Sequence, residues 1–273
     1  MIIDAHAHAC GDFRRAENIL ETLDRLGVDR VLLCPGLTDD EKNWSLLNLA
    51  AVLRKTDLMP AVNGLIRLLN RPIPRETLAE RNEYVHTLAR QNPKRILQCY
   101  WTDPADPDAP EILKRDHHRW AFKSVKAHQC LSRFAASSEN MDAIAGFAGE
   151  NNLPFLIHLG GRKDVRDLIH LIRHNQDTVF IVAHLIGLEL CMKAEPRIFR
   201  NVYWEISPPQ LLSVKRVLKA VNHFGAQRVV LGSDTPYGRR NLQKNIRRLE
   251  RMNLSSIERE LVLGNNLASL LAL

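Results

Sequence analysis

Eight short apolar runs, several of them stopping at a polar residue and separated by segments with helical spacing, constrain this chain more than any other feature of its sequence. The first runs from Met1 to His8, carries β-branched Ile2 and Ile3, and meets the breaker Cys10-Gly11-Asp12. Ala16 to Leu26 then places Ile19, Leu20, Leu23 and Leu26 at helical spacing and stops at Gly27. Val28 to Cys34 follows as a second strand, bounded by Pro35-Gly36, so the opening is β-α-β with a short connection, the pattern of a parallel sheet. Further strands are predicted at Arg95 to Trp101, Ala121 to His128, Pro154 to His158, Thr178 to His184, Val202 to Ile206 and Arg228 to Asp234. Helices are predicted at Glu76 to Gln91, Pro110 to Trp120, 139–150, Asp164 to His174, 187–195, Leu211 to Phe224, 239–252 and 255–271, the last opened by the capping box Ser255-x-x-Glu258. Eight strands alternating with helices predict an α/β fold, a (β/α)8 TIM barrel. Residues 37–75 break the alternation: Trp44 to Arg54 and Pro60 to Leu69 read as short helices, a helical insertion after strand two and a place for a lid.

Composition narrows the class. With 273 residues, 45% of them hydrophobic, the chain can bury a barrel-sized core, and no Pro/Gly/Ser-rich linker divides it, so one domain over residues 1–273 is expected. No apolar run reaches the length of a membrane span, and a core strand beginning at residue 2 leaves no room for a leader. Five scattered cysteines with no CxxC pair argue against a disulfide framework and for a cytoplasmic setting. The net charge of +7 raises the question of nucleic acid, but Arg239, Arg240, Lys244, Arg247, Arg248 and Arg251 fall along one helix without interleaved aromatics, as a solvated face does. That charge fits attraction of a small anionic substrate instead.

On a barrel, the C-terminal ends of the strands carry the chemistry. Strand one ends in His6 and His8, strand four in Lys126 and His128, strand five in His158, strand six in His184 and strand eight in Asp234. Alternation along strand one puts Asp4, His6 and His8 on one face, so two imidazoles converge and can share a metal ion, given a further ligand from elsewhere. Lys126 and His128 share a face by the same parity, so one of them is expected at the substrate. Gly160-Gly161-Arg162 follows strand five, where backbone N–H groups and a guanidinium suit a substrate carboxylate, or simply form a tight turn. Arg67 and Arg71 of the insertion are further candidates for an anion. A second pair, His170 and His174, shares a helix face but lacks the intervening Glu of a zincin motif.

The motifs Ala5-His6-Ala7-His8, Val125-Lys126-Ala127-His128, Leu156-Ile157-His158, Val182-Ala183-His184, Leu231-Gly232-Ser233-Asp234-Thr235-Pro236-Tyr237-Gly238 and Leu263-Gly264-Asn265-Asn266-Leu267-Ala268 resemble, in order and over nearly the whole length, the amidohydrolase-2 branch of the amidohydrolase superfamily. The resemblance implies a metal-dependent barrel enzyme, with one divalent ion, zinc or manganese, held by His6, His8, His158 and Asp234. It further implies that His184 orients or activates water or donates a proton. Superfamily members with two metals use a carboxylated lysine on strand four, to which Lys126 corresponds. Within that reading Asp234 is the candidate base, because it touches both ion and water. The activity implied is hydrolysis of a small carboxylate-bearing or cyclic amide or ester substrate; the alternative is non-oxidative decarboxylation at the same site. A TatD-like nuclease is disfavoured by Gly232-Ser233 before Asp234, where Glu-Thr belongs, and a non-catalytic ligand-binding barrel by the full set of ligand types. Neither a membrane nor a nucleic-acid partner is expected, and homo-oligomerisation stays open.

Overall fold

The computed structural model describes residues 1–38 and 58–273, so the expected helix Trp44 to Arg54 lies outside the described residues. Eight parallel strands pair in sequence order: β1 (Ile3–Ala9), β2 (Arg30–Pro35), β3 (Ile96–Trp101), β4 (Ser124–His128), β5 (Phe155–His158), β6 (Phe180–Val182), β7 (Val202–Glu205) and β8 (Val229–Val230). The sheet closes where the chain's last strand meets its first. Ala5 N–H donates to the Leu231 carbonyl at 2.9 Å, Asp234 N–H to that of His6 at 2.7 Å and His8 N–H to that of Thr235 at 2.8 Å. The result is the TIM barrel, surrounded by α1 (Ala16–Leu26), α2 (Met59–Leu69), α3 (Arg75–Gln91), α4 (Ala109–Trp120), α5 (Glu139–Glu150), α6 (Val165–His174), α7 (Leu188–Cys191), α8 (Val214–Phe224), α9 (Asn241–Glu250), α10 (Ser256–Glu260) and α11 (Asn266–Leu270). Among the described residues no helix is long and apolar enough to cross a membrane. All five cysteines are buried and unpaired.

Two apolar layers hold the barrel. Inside it, Ile3, Ala5, Leu32, Cys34, Leu97, Cys99, Leu156, Ile181 and Val230 form one cluster. Outside it, Ala7, Val31, Leu33, Val125, Ile157, Val182 and Trp204 pack against the helices. Every strand buried on both faces explains why the sequence shows continuous apolar runs.

Strand β1 departs from strict alternation, and the departure aims the site. Ala5 belongs to the inner cluster and Ala7 to the outer one, two residues apart, which a regular strand forbids. The register with β2 supplies the reason: Asp4 pairs with Val31 and Ala7 with Leu33, so β1 carries one extra residue there, a β-bulge. The bulge flips parity after Ala5 and turns His6 and His8 into the barrel mouth. Asp4 therefore does not join them, contrary to the alternation reading. Its carboxylate accepts from Ser233 N–H at 2.9 Å and Ser233 Oγ at 2.6 Å, clasping the closing seam.

The largest differences from prediction fall in two strands and two helices. The expected strands Thr178 to His184 and Arg228 to Asp234 stop at Val182 and Val230, because the chain leaves extended geometry to present its polar residue: His184 has φ 61° and Asp234 φ 55°. After His184 and Leu185, both left-handed, the predicted helix 187–195 is reduced to α7. The predicted helix 255–271 keeps its capping box but is interrupted by a π-turn at Leu261–Asn265.

Two glycines separate backbone cost from packing cost. Gly27 caps α1 at φ 63° with open space where a Cβ would stand, whereas Gly187, at φ 77°, would drive a Cβ to 2.4 Å from Val165 Cγ2. Gly27→Ala is expected to cost about 1 kcal/mol from left-handed strain alone, and Gly187→Ala that amount plus an overpacking cost of about 1–3 kcal/mol. Denaturant midpoints of the two variants check the order.

Candidate metal centre

The bulged strand β1 brings His6 Nε2 and His8 Nε2 to 3.2 Å of each other. Their tautomers follow from their other nitrogens. His8 Nδ1–H donates to the Pro35 carbonyl at 2.7 Å, and His6 Nδ1–H to Glu205 Oε2 at 3.3 Å. Both Nε2 lone pairs thus face the same point, which is repulsive unless a positive charge stands there. The Lys126 ammonium does, with Nζ 2.7 Å from His6 Nε2 and 3.0 Å from His8 Nε2. Asp234 Oδ1 completes the group at 3.7 Å from His6 Nε2 and 3.5 Å from His8 Nε2. The ligand atoms of His6, His8 and Asp234 all lie within 4.8 Å of one another. Two neutral imidazole lone pairs and a carboxylate around a cation position are the donor set a divalent metal such as zinc or manganese takes, so these residues fit such an ion.

His158 lies on the same rim but groups differently. It clusters with His128 and Cys130, and its ring stacks on that of His128 with centroids 3.8 Å apart. Asn63, from α2, fixes it: Asn63 Nδ2–H donates to the Leu159 carbonyl at 2.9 Å, leaving Asn63 Oδ1 to accept from His158 Nε2–H at 2.9 Å. The His158 Nδ1 lone pair then points at His184 Nε2, 3.1 Å away. His184 Nδ1–H donates to the Ser207 carbonyl at 2.8 Å, so its Nε2 also presents a lone pair. A second pair of facing acceptors therefore adjoins the first, with the His184 ring 5.2 Å from that of His6. Lys126 and His128, one of which the sequence places at the substrate, take distinct positions on the rim. Lys126 is wholly buried within the imidazole cradle, and His128 stacks between His158 and Trp101.

The carboxylate loop expected after β5 is partly spoken for: Gly160 N–H donates to Gln129 Oε1 at 2.7 Å. Arg162 lies in a 3-10 turn at Arg162–Asp164, and its side chain is outside the described residues. Arg67 reaches this loop from α2, where a Cβ on Gly160 would meet its Nη2 at 1.8 Å; its Nη2 donates to the Gln129 carbonyl at 3.4 Å. His170 and His174 are both exposed on α6, and His174 Nδ1–H donates to the His170 carbonyl.

One carboxylate escaped the sequence reading. Glu205, at the end of β7, is fully buried among the imidazoles and groups with His6 and His184. The rule that found the other residues, a polar group where an apolar strand stops, applies equally to Val202-Tyr203-Trp204-Glu205.

Electrostatics keep the imidazoles neutral. Burial, and after it the Lys126 charge, hold His6, His8 and His128 below the usual imidazole range; burial followed by the neighbouring His128 does so for His158. Burial also lowers His184, outweighing the pull of Asp234. Burial pushes Asp234 up, but the groups around it, the Lys126 ammonium among them, outweigh it, leaving a carboxylate below its ordinary range. Asp4 and Glu205, in which burial dominates, are each raised to about 7.

These shifts fix the pH dependence of the chelated protein. Below pH 6.5 the unfolded chain protonates five imidazoles that the folded chain keeps neutral, so their stabilising contribution is lost as pH falls. Asp4 and Glu205 act oppositely, binding protons in the folded state first and stabilising it on acidification until the unfolded carboxyls also protonate. The imidazoles outnumber the carboxyls, so stability in chelator is expected to fall between pH 6 and pH 5. Denaturant midpoints at the two pH values check it; unchanged or rising stability contradicts it.

The family model for amidohydrolases of the second type matches residues 3–273. No curated protein matches the sequence. Solved structures of the same fold include a 2,6-dihydroxybenzoate decarboxylase from Rhizobium, at 14% identity and TM-score 0.71, with 99% of this chain and 98% of that chain covered. A dihydroxybenzoic acid decarboxylase from Polaromonas sp. JS666, with bound manganese and the inhibitor 2-nitroresorcinol, aligns at 13% identity and TM-score 0.71, over 99% of this chain and 96% of that chain. An amidohydrolase from Burkholderia multivorans with bound zinc aligns at 12% identity and TM-score 0.68, over 100% of this chain and 99% of that chain. With the family model spanning the barrel from β1 to the C-terminus, the chain belongs to the amidohydrolase family.

Proposed function

We propose that the protein is a metal-dependent hydrolase of small anionic amides or esters, with His6, His8, Asp234 and His158 as the ligands of one divalent ion. The observation that carries this reading is the convergence of the His6 and His8 Nε2 lone pairs with the Asp234 carboxylate on one cation position. Bound there, such an ion supplies a Lewis acid that polarises the substrate oxygen and acidifies water. The chain's own groups do the rest. Asp234, kept ionised by its neighbours, accepts the proton of the attacking water, and its left-handed backbone is the kind of local strain that functional positions carry. His184 is fixed by the Ser207 carbonyl so that its Nε2 lone pair faces the cluster, where it takes up the proton that Asp234 has accepted and passes it to the leaving group. Lys126 releases the His6 and His8 lone pairs when these are taken, leaving its ammonium for a substrate carboxylate.

Decarboxylation is the second reading, favoured by one feature: the stacked Trp101, His128 and His158 rings offer a flat aromatic wall beside the cluster, suited to a planar aromatic acid. The dihydroxybenzoate decarboxylases among the solved structures act on substrates of that shape. An ionised Asp234 supports the hydrolytic reading, since protonating carbon needs an acid there.

Protein purified without chelator is expected to hold about one zinc or manganese ion per chain, lost in His8→Ala and retained in His170→Ala. Asp234→Asn is expected to lower turnover about 10²–10⁴-fold in a folded barrel. Screening the metal-loaded protein on carboxylic acids, lactones and amides in ¹⁸O water separates the two reactions: label in the product supports hydrolysis, and release of carbon dioxide overturns it for decarboxylation.

A further inference from the structure

Glu205 is an acceptor surrounded by donors. Its Oε2 accepts from His6 Nδ1–H at 3.3 Å and from the backbone N–H of His184 at 3.2 Å, and its Oε1 accepts from Ser207 N–H at 2.5 Å. Side chain and backbone are both fully buried there, so none of these donors has water to fall back on. Room for the carboxylate comes from Gly232, just past the neighbouring strand β8, where a Cβ would stand 2.1 Å from Glu205 Oε1. Arg248 braces the same strand exit, its Nη2 donating to the Ile206 carbonyl at 2.8 Å.

We infer that Glu205 is the positioning residue of the metal centre: by accepting from His6 Nδ1–H it fixes the tautomer that leaves His6 Nε2 free to ligate, and by accepting from His184 N–H it holds the left-handed turn that presents the second imidazole. This deepens the proposed function and rests on its assignment of His6 as a ligand. The chemistry needs a carboxylate in particular. A glutamine of the same shape has one acceptor oxygen and one NH2 group, so at least one of the three N–H donors would face another donor. Outer partners of this kind typically contribute 10–100-fold in metal affinity.

The test uses the full-length protein, with zinc affinity measured by chelator competition for wild type, His6→Ala, Glu205→Gln and Gly232→Ala. Glu205→Gln is expected to weaken zinc binding about 10–100-fold. Gly232→Ala, which keeps the glutamate but displaces its carboxylate, is expected to weaken it in the same direction. Glu205→Gln placed in a His6→Asn background is expected to cost much less than in wild type, since the residue acts through His6. Nitrogen-15 correlation spectra of the chelated protein give a readout that general destabilisation does not move: His6 is expected wholly as the Nδ1–H tautomer in wild type and as a mixture in Glu205→Gln. Zinc affinity within about twofold of wild type in Glu205→Gln, or an unaltered His6 tautomer, overturns the inference. If Glu205→Gln does not fold, Gly232→Ala and the wild-type tautomer decide it alone. If wild type binds no zinc, or His6→Ala binds as wild type does, the proposed function fails instead, and the tautomer spectra still decide whether Glu205 governs His6.

Discussion

Two acceptor nitrogens held 3.2 Å apart in a buried pocket cannot be left to themselves, and the mouth of this barrel is arranged around that fact. The Pro35 carbonyl and the Glu205 carboxylate each occupy the far nitrogen of one ring, which forces both near nitrogens to present lone pairs. Burial removes the simplest escape, protonation of a ring. What remains is an external or internal cation, and Lys126 is the internal one. A buried lysine is rarely found without partners, and here the partners are the very groups a metal would use. The cradle is therefore selective for positive charge before any substrate arrives.

Much of this was readable in the sequence, and the parts that were not have physical causes. The barrel followed from apolar runs alternating with helical spacing, because strands buried on both faces leave that signature. The helices Ala16–Leu26 and Glu139–Glu150 match their predicted bounds, since Gly27 and Ser138 mark the ends in the sequence itself. Strands β6 and β8 were overextended: Ala183-His184 and Gly232-Ser233-Asp234 continue the strand pattern but turn into left-handed geometry, a choice made by distant contacts rather than by local preference. Convergence of His6 and His8 was predicted by alternation, yet it is achieved through a bulge that a period-two count does not contain. Asp4 was misplaced for the same reason.

Glu205 is the clearest omission. It is neither an imidazole nor one of the resemblance's ligand positions, although it stands where an apolar strand stops, as they do. The groups behind the candidate ligands obey the same geometry as the candidates themselves, because all of them hang from the same rim. Arg67 and Asn63 illustrate the complementary difficulty. Both come from α2, in a stretch whose helical spacing predicts an element but not its docking, and both end within reach of the β5 exit.

The clasp of Asp4 on Ser233 joins the fourth residue of the chain to one forty residues from its end. His6 and His8 lie just past one side of that join, and Asp234 just past the other. A nascent chain thus carries two of these donors well before the third, and cannot assemble the triad until the eighth strand has been made and has found the first. Cation capture at this rim is in that sense a report on circular completion: a barrel that stays open, whatever helices it has already formed, has no triad with which to capture.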